Sequence, residues 1–171
     1  MLEQKKRKNT RLTSYDYSSN GAYFLTICTK DRRDLLGRII VGDAHPGVTN
    51  PVAPSVILSE IGDAAKTYIK NIGMVYDNAT VHKYVIMPNH IHIILFVKNT
   101  QDAPASSPTK SVVAKVVNAF KSLVSRQSGE SVWQRSYHDH IIRNEEDYLR
   151  IWQYMDENPA KWAEDRYYRE A

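Results

Sequence analysis

Residues 79–97, with the sequence ATVHKYVIMPNHIHIILFV, decide the fold predicted for this chain. They contain two apolar runs rich in β-branched and aromatic residues, which favour strands, separated by Pro88 and Asn89. A Pro-Asn pair between two such runs is typical of a tight turn. The stretch therefore predicts a β-hairpin with strands over residues 79–87 and 90–97.

The second strand of this hairpin carries two histidines, His90 and His92, separated by one residue. Because successive side chains of a strand alternate between its faces, both imidazoles project to one face. The side chains of Ile91, Ile93 and Leu95 project to the other. Two imidazoles placed in this way can share a metal ion. A pair of partly buried, hydrogen-bonded histidines is the alternative that the pattern leaves open.

Patterns on either side of the hairpin predict an α+β protein. Strands are expected at residues 22–29 and 35–41, a short strand or loop at 132–143, and helices at 57–72, from about 110 to Gly129, and from Asn144 to about Glu157. The Pro-rich stretches 43–55 and 99–110 are expected to be loops, and the basic residues 1–10 a flexible tail. This order of elements predicts one domain over residues 1–171, a mostly antiparallel sheet with helices packed on it.

Length and composition limit the class of protein. A chain of 171 residues, 42% hydrophobic and 25% charged, is typical of one globular domain. No apolar run approaches the ~18 residues of a membrane span, and no apolar stretch of a secretory signal follows the basic N-terminus. The single cysteine, Cys28, excludes an internal disulfide and a cysteine-rich zinc site. The expected location is the cytoplasm, without membrane attachment.

The net charge of +4 is unevenly distributed along the chain. Residues 1–42 carry +5 and residues 110–143 carry +4, whereas residues 43–109 carry −1 and residues 144–171 carry −4. Two basic blocks around a nearly neutral middle suit a polyanion, because neutralised phosphates supply much of the affinity for nucleic acids. A solvated surface with a basic tail is the alternative explanation.

The last predicted helix carries a tyrosine and an amide outside its apolar stripe. Tyr148, Trp152 and Met155 form that stripe at steps of four and three residues. Tyr154 lies off the stripe, and Asn158 follows it by one helical turn on the same side. Such a pair could face a metal ion held by the strand histidines. The alternative is a tyrosine at the rim of the helix and an asparagine before a helix-ending proline.

Three segments of the sequence together resemble the single-tyrosine HUH transposases. They are RLTSYDYSSNGAYFLTICTKDR at residues 11–32, PNHIHIILF at 88–96 and VWQRSYHDHIIRNEEDYLRIWQYMDENPAKW at 132–162. The combination is specific, because a His-hydrophobe-His pair on a strand is followed 64 residues later by Tyr-x-x-x-Asn-Pro on a helix. The sequence is most similar to the REP-associated tyrosine transposases, from about Arg11 to Trp162.

The resemblance implies a ferredoxin-like or RRM-like antiparallel sheet and a role for four residues. His90 and His92 would bind one divalent metal ion, Mg²⁺ or Mn²⁺, and Asn158 would complete that site. Tyr154 would be the nucleophile. The implied activity is cleavage and transfer of single-stranded DNA at a hairpin formed by an imperfect palindrome, through a 5′-phosphotyrosine intermediate. Relatives act as monomers or homodimers, and the sequence selects neither.

Further residues are candidates for contacts with DNA or for support of the site. The basic candidates for DNA contact are Arg7, Lys8, Arg11, Lys110, Lys115, Lys121, Arg126 and Arg135. A rival site could be built from Tyr137, His138 and His140, which form a second His-x-His arrangement. We favour His90 and His92 because their strand is longer and more apolar, and we expect His140 to lie near their site.

Two other functions are compatible with parts of this pattern. A rolling-circle replication initiator of the HUH class usually has a lysine shortly after its tyrosine, whereas MDENP follows Tyr154 here. A non-catalytic nucleic-acid-binding module with an RRM-like sheet would not need the complete set of His90, His92, Tyr154 and Asn158. The sequence therefore favours the transposase, with both alternatives kept for experiment.

Overall fold

The computed structural model describes residues 20–40, 54–98 and 112–168. The predicted tail at 1–10 and the predicted loop at 99–110 lie outside these ranges, as does nearly all of the predicted loop at 43–55. In the described part of the chain, no helix is long and apolar enough to cross a membrane.

The described residues form six strands and four α-helices. In chain order they are β1 (Gly21–Cys28), β2 (Gly37–Ile40), β3 (Ser55–Leu58), α1 (Glu60–Lys70), α2 (Ile72–Val75), β4 (Ala79–Met87), β5 (His90–Val97), α3 (Val112–Ser128), β6 (His138–Ile142) and α4 (Glu145–Glu157). Short 3-10 turns lie at Lys30–Arg32 and Trp162–Glu164.

Four strands form the main sheet in the order β4-β5-β1-β6, and every neighbouring pair is antiparallel. Helix α1 lies between β1 and β4 in the chain, and α3 lies between β5 and β6. This βαββαβ order with its central β1 and β5 is the ferredoxin-like arrangement. The predicted fold class, α+β with helices packed on an antiparallel sheet, is confirmed. Strands β2 and β3 form a separate two-stranded ribbon.

One face of the main sheet holds the larger hydrophobic core. Ile91, Ile93 and Leu95 of β5 point into it, as their alternation with the histidines predicted. Helices α1 and α3 cover this face with buried apolar side chains, among them Ala65, Ile69, Val113, Val116, Val117, Phe120 and Val124. Helix α3 then ends where Gly129 adopts a left-handed conformation, with φ of 71°.

The other face of the sheet is covered only in part, by α4. Ile151 and Met155 of this helix pack on Ile94 and Ile142 in a second, smaller hydrophobic cluster. Tyr148 and Trp152 are partly buried against it, as the predicted apolar stripe requires. Asn144 caps the helix by accepting a hydrogen bond from the backbone N–H of Asp147 at 2.8 Å. The two histidines of β5 lie on this partly covered face.

The prediction of one helix over residues 57–72 is wrong at both ends. Residues 55–58 are strand β3, because their β-branched side chains pair with β2, and Leu58 only coincides with the helical spacing. The helix begins after Ser59, whose hydroxyl accepts a hydrogen bond from the N–H of Gly62 at 3.1 Å. Helix α1 ends at Lys70, one residue before α2, and Gly73, expected to end the helix, lies inside α2.

Candidate active site

His90 and His92 are buried at the start of β5, directly after the hairpin turn. Both rings are at most 1% exposed, because β1 and β4 flank them on either side. Their side chains point to the partly covered face, where the two Nε2 atoms lie 3.1 Å apart. The structure thus brings together the two histidines that the sequence paired.

The Nδ1 atom of each imidazole lies within hydrogen-bonding distance of a neighbouring polar side chain. His90 Nδ1 lies 3.0 Å from Oδ1 of Asn89, and His92 Nδ1 lies 2.9 Å from Oγ1 of Thr26. An amide oxygen only accepts hydrogen bonds, so Nδ1 of His90 carries the proton and its Nε2 keeps a free lone pair. A hydrogen bond that holds Nδ1 in this way is typical of histidines that bind a metal through Nε2.

Helix α4 brings Tyr154 and Asn158 to the histidine pair. The hydroxyl of Tyr154 lies 3.3 Å from Nε2 of His92, while its ring remains 40% exposed. One turn later, Asn158 is 2% exposed and directs its amide to the same place. A tyrosine that is both accessible and next to a buried histidine pair can act on a molecule that arrives from solvent.

Asp165 joins the cluster, and sequence reasoning missed it. Its Oδ2 accepts a hydrogen bond from Nδ2 of Asn158 at 2.7 Å and lies 3.4 Å from the hydroxyl of Tyr154. The candidate ligand atoms of His90, His92 and Asp165 all lie within 4.8 Å of one another. No periodic pattern could have found Asp165, because it follows the helix-ending Pro159 in an irregular segment.

The same C-terminal segment closes the site on the side of His90. The ring of Tyr167 packs on the His90 ring with a centroid separation of 4.5 Å, and Trp162 lies 5.9 Å away. Asn89 donates a hydrogen bond to the carbonyl oxygen of Tyr167 at 2.9 Å. One asparagine therefore orients His90 and also fastens the segment that covers it.

The donor set fits a divalent metal ion. It offers two imidazole nitrogens and a carboxylate, a combination that accommodates Mn²⁺ and related cations. Oδ1 of Asn158 is also buried there and has no hydrogen-bond partner within the described part of the chain. A buried carbonyl oxygen without a partner is costly, and a cation would satisfy it. These four side chains can therefore hold a metal ion, the identity of which they do not specify.

Burial sets the protonation of the central groups. It lowers the pKa of His90 to about 4 and that of His92 well below its usual value. Burial, with the nearby Asp165 carboxylate, raises the pKa of Tyr154 to about 12. At neutral pH both histidines are uncharged, as metal ligands must be, and the tyrosine keeps its proton.

Acid is expected to destabilise the metal-free protein through these histidines. Their folded-state pKa values are depressed, so stability is lost as the pH falls from about 6.5, the value in the unfolded chain, toward about 4. For His90 alone the loss at pH 5 relative to pH 8 is about 2 kcal/mol. Thermal unfolding in a chelator measures it.

Two variants separate this effect from general acid denaturation. His92→Gln removes one buried histidine and is expected to flatten the pH dependence of the melting temperature between pH 7 and about 5. His138→Gln, which changes an exposed strand histidine, is expected to keep the wild-type profile. Identical profiles for wild type and His92→Gln would contradict the prediction.

The rival site is not assembled. Tyr137 packs in the larger core, on the other face of the sheet from His138 and His140. His140 lines a depression together with His92 and Tyr154. Its Nε2 is 2.7 Å from Oδ2 of Asp147.

Four of the predicted DNA-contact residues are described, and none of them lines the depression that contains His92 and Tyr154. Helix α3 packs on the opposite face of the sheet, and its Lys115 and Arg126 are exposed there. Lys121 donates hydrogen bonds to the backbone carbonyls of Gln134 and Arg135, so its ammonium holds a loop. The side chain of Arg135 is exposed. The remaining candidates, Arg7, Lys8, Arg11 and Lys110, lie outside the described residues.

This chain shares its fold with a solved tyrosine transposase. The structure of a REP-associated tyrosine transposase bound to a REP hairpin matches with a TM-score of 0.59 and 17% identity, over 95% of this chain and 74% of that chain. A candidate transposase of Deinococcus radiodurans matches with a TM-score of 0.46 and 18% identity, over 90% of this chain and 95% of that chain.

A comparison of sequences gives the family. An uncharacterised protein of Haemophilus influenzae is 32% identical, over 95% of this chain and 93% of that protein. The chain belongs to the same family as that protein. No family model matches the sequence.

Proposed function

We propose that this protein is a transposase, a metal-dependent endonuclease and strand transferase for single-stranded DNA. The observation that carries the proposal is the position of the exposed Tyr154, with its hydroxyl 3.3 Å from Nε2 of the buried His92. The fold shared with a tyrosine transposase supports it. The proposed substrate is an unpaired strand beside a hairpin formed by an imperfect palindrome, and the implied location is the cytoplasm.

The metal-holding residues in this proposal are His90, His92 and Asp165, with Oδ1 of Asn158 as a further donor. A divalent ion bound to them, Mn²⁺ or Mg²⁺, would neutralise charge on the scissile phosphate and polarise its phosphorus. Thr26 and Asn89 keep the two imidazoles in the orientation that presents Nε2 to the site.

Tyr154 supplies the nucleophile. Its phenolic oxygen forms a bond to phosphorus while the bond from phosphorus to the 3′ oxygen breaks. The phenol loses its proton, the 3′ oxygen leaves as a hydroxyl, and the 5′ phosphate stays on the tyrosine. The energy of the phosphodiester is kept in the phosphotyrosine, so a later 3′ hydroxyl can reverse the step and rejoin strands.

The phenol is oriented by its neighbours before the reaction. Asp165 Oδ2, 3.4 Å away, accepts a hydrogen bond from the phenol, and the edge of the tyrosine ring contacts Phe24 with a centroid separation of 6.2 Å.

All of these residues belong to one chain. In this proposal Tyr154 therefore acts on a phosphate at the metal site of its own chain.

Mn²⁺ is expected to stabilise the protein against heat. At a concentration about 100 times its dissociation constant, a bound ion adds about 2.7 kcal/mol to the free energy of unfolding, or roughly 5–10 °C in melting temperature. Asp165→Asn and His92→Gln are expected to lose most of this shift, because each removes a donor. Differential scanning fluorimetry against metal concentration measures it.

The matched control for the metal experiment is Asp63→Asn. Asp63 is an exposed carboxylate in the first turn of α1, away from the site. The variant is expected to keep the full Mn²⁺ shift. A shift of equal size in Asp63→Asn and Asp165→Asn would show that Asp165 does not hold the ion.

The proposed activity is tested by looking for a covalent protein–DNA product. Purified protein is incubated with Mn²⁺ and a labelled pool of single-stranded hairpins that have randomised flanking sequences. We expect an adduct that survives denaturation, requires the metal, and maps by peptide sequencing to Tyr154. Fully duplex DNA of the same sequences is expected to give none. Binding of hairpins without any adduct would contradict the proposal and favour a non-catalytic nucleic-acid-binding module.

A further inference from the structure

A groove extends from the candidate active site across the uncovered part of the sheet. It consists of two adjoining depressions of about 480 and 430 Å³, sizes typical of small-ligand sites. The first contains Tyr154 and His92, and the second reaches β6 at the far edge of the sheet. Both are lined by Phe24, His140 and Arg166.

Phe24 lies on the floor of this groove, where the two depressions meet. It belongs to the central strand β1, is half-buried, and stacks on the His92 ring with a centroid separation of 4.9 Å and an interplanar angle of 28°. Its neighbours toward the edge of the sheet are polar, since His140 is opposite it on β6. An aromatic ring on a central strand, open on one side, can stack with an unpaired base.

Two arginines border the second depression. The guanidinium groups of Arg32 and Arg166 lie over the ring of Tyr167, at 5.2 and 4.6 Å from its centroid. Within the described part of the chain neither has a carboxylate partner, in contrast to Arg150, which pairs with Asp147 at 2.5 Å. Both positive charges therefore lie beside the groove without an ion-pair partner in the described residues.

The carboxylates near the groove leave a net positive charge at the second depression, because Asp139 lines it together with both arginines. Asp147 is shared between Arg150 and His140, and Asp165 is engaged by Asn158 and Tyr154. Phosphates of a strand that crossed the second depression would thus meet two guanidinium groups that donate to the carbonyl oxygen of Arg166 and to the hydroxyl of Tyr167 but form no ion pair in the described residues. The bases of that strand would meet the aromatic floor.

We propose that Phe24 is the stacking platform for the base next to the scissile phosphate, and that Arg32 and Arg166 bind the backbone phosphate beyond it. The proposal rests on the proposed function and extends it, because it assigns the path by which the unpaired strand reaches Tyr154. The ligand of the groove is single-stranded DNA, held by stacking and charge.

Binding without catalysis tests the platform. A fluorescent deoxyadenosine oligomer and an abasic strand of equal length are titrated with protein in a chelator, and anisotropy gives both affinities. Wild-type protein is expected to bind the deoxyadenosine oligomer with about tenfold higher affinity than the abasic strand. This ratio corresponds to the energy of about one base–aromatic stack. Phe24→Leu is expected to lose this preference. Phe24→Trp keeps an aromatic face and is expected to retain it, which keeps the test decisive if the leucine variant is unstable.

The arginines are tested by salt dependence. Arg32→Gln and Arg166→Gln are each expected to weaken the binding of both strands and to reduce the slope of log affinity against log salt by up to about 0.7, the single-strand value for one phosphate contact. Arg38→Gln, on the exposed side of the separate β2-β3 ribbon, is the matched control and is expected to change neither value.

The outcomes distinguish this proposal from the proposed function. A Phe24→Leu variant that keeps the base preference, or a Phe24→Trp variant that loses it, would overturn the platform. So would equal salt slopes in Arg38→Gln and Arg166→Gln. If the protein forms the adduct but does not show these binding patterns, the transposase proposal stands and the proposed role of the groove is wrong. If it shows the binding patterns but forms no adduct, the proposed role of the groove stands and the nuclease activity is wrong.

Discussion

Replacing Tyr154 with phenylalanine is expected to abolish the covalent protein–DNA adduct, lowering its rate of formation at least a thousand-fold, or about 4 kcal/mol in activation free energy. The substitution removes only the hydroxyl, and no neighbouring group has the same position. The fold should be unaffected, because the ring is 40% exposed and its hydroxyl makes only long contacts, of 3.3 and 3.4 Å. Adduct formation is measured on denaturing gels, and the melting temperature confirms folding.

Two other tyrosines serve as controls for this experiment. Tyr148→Phe changes a residue of the same helix, whose hydroxyl lies 3.1 Å from Nδ1 of His82. Tyr167→Phe removes the hydroxyl of the ring that packs on His90. Both variants are expected to form the adduct. If the adduct persisted in Tyr154→Phe, the nucleophile assignment would be wrong, and Tyr167 would be the next candidate because of its contact with His90.

Replacing Gly62 with alanine is expected to cost at least about 3 kcal/mol of unfolding free energy, at the upper end of the usual overpacking range. A Cβ at this position of α1 would lie 2.0 Å from the carbonyl oxygen of Leu36. That oxygen accepts a hydrogen bond from the N–H of Ser59 at 3.0 Å, and Leu36 is bound in turn to Pro88 at the hairpin turn. The backbone therefore cannot move aside cheaply, and the melting temperature should fall by roughly 10 °C.

Gly73→Ala is the control for the effect of a methyl group in a helix. An added Cβ there would lie no closer than 3.8 Å to the carbonyl oxygen of Ala79, which is ordinary contact. Alanine also has a better helix propensity than glycine, so this variant is expected to be neutral or stabilised by up to about 1 kcal/mol. Similar losses in both variants would show that propensity, and not the close approach to Leu36, decides the result.

The hairpin and the last helix were predictable because their signals are local. Pro88 and Asn89 interrupt a strong strand pattern, and Asn144 precedes a helix with a clear apolar stripe. Strand β3 was not predictable in this way, because residues 55–58 owe their conformation to pairing with β2, a contact between segments far apart in the chain. Its apolar side chains then suggested an earlier start for α1.

The residues of the candidate site divide in the same way, into those that local sequence patterns predict and those that contacts between distant segments place. His90 and His92 were predictable from strand alternation, and Tyr154 and Asn158 from helical spacing together with a family resemblance. Asp165 was not, because its position depends on the turns that follow α4 and on the hydrogen bond that Asn89 makes to Tyr167. Groups placed by irregular backbone and by contacts between distant segments leave no periodic trace in a sequence.

The unequal covering of the two sheet faces has a consequence for how this protein can evolve. The face packed by α1 and α3 supplies most of the buried apolar surface, so it carries most of the selection for stability. The face beneath α4 carries the candidate site on a smaller cluster. If the proposed function holds, changes around Phe24 would therefore alter which DNA is used without unfolding the domain, and lineages would diverge in target choice while the scaffold stays constant.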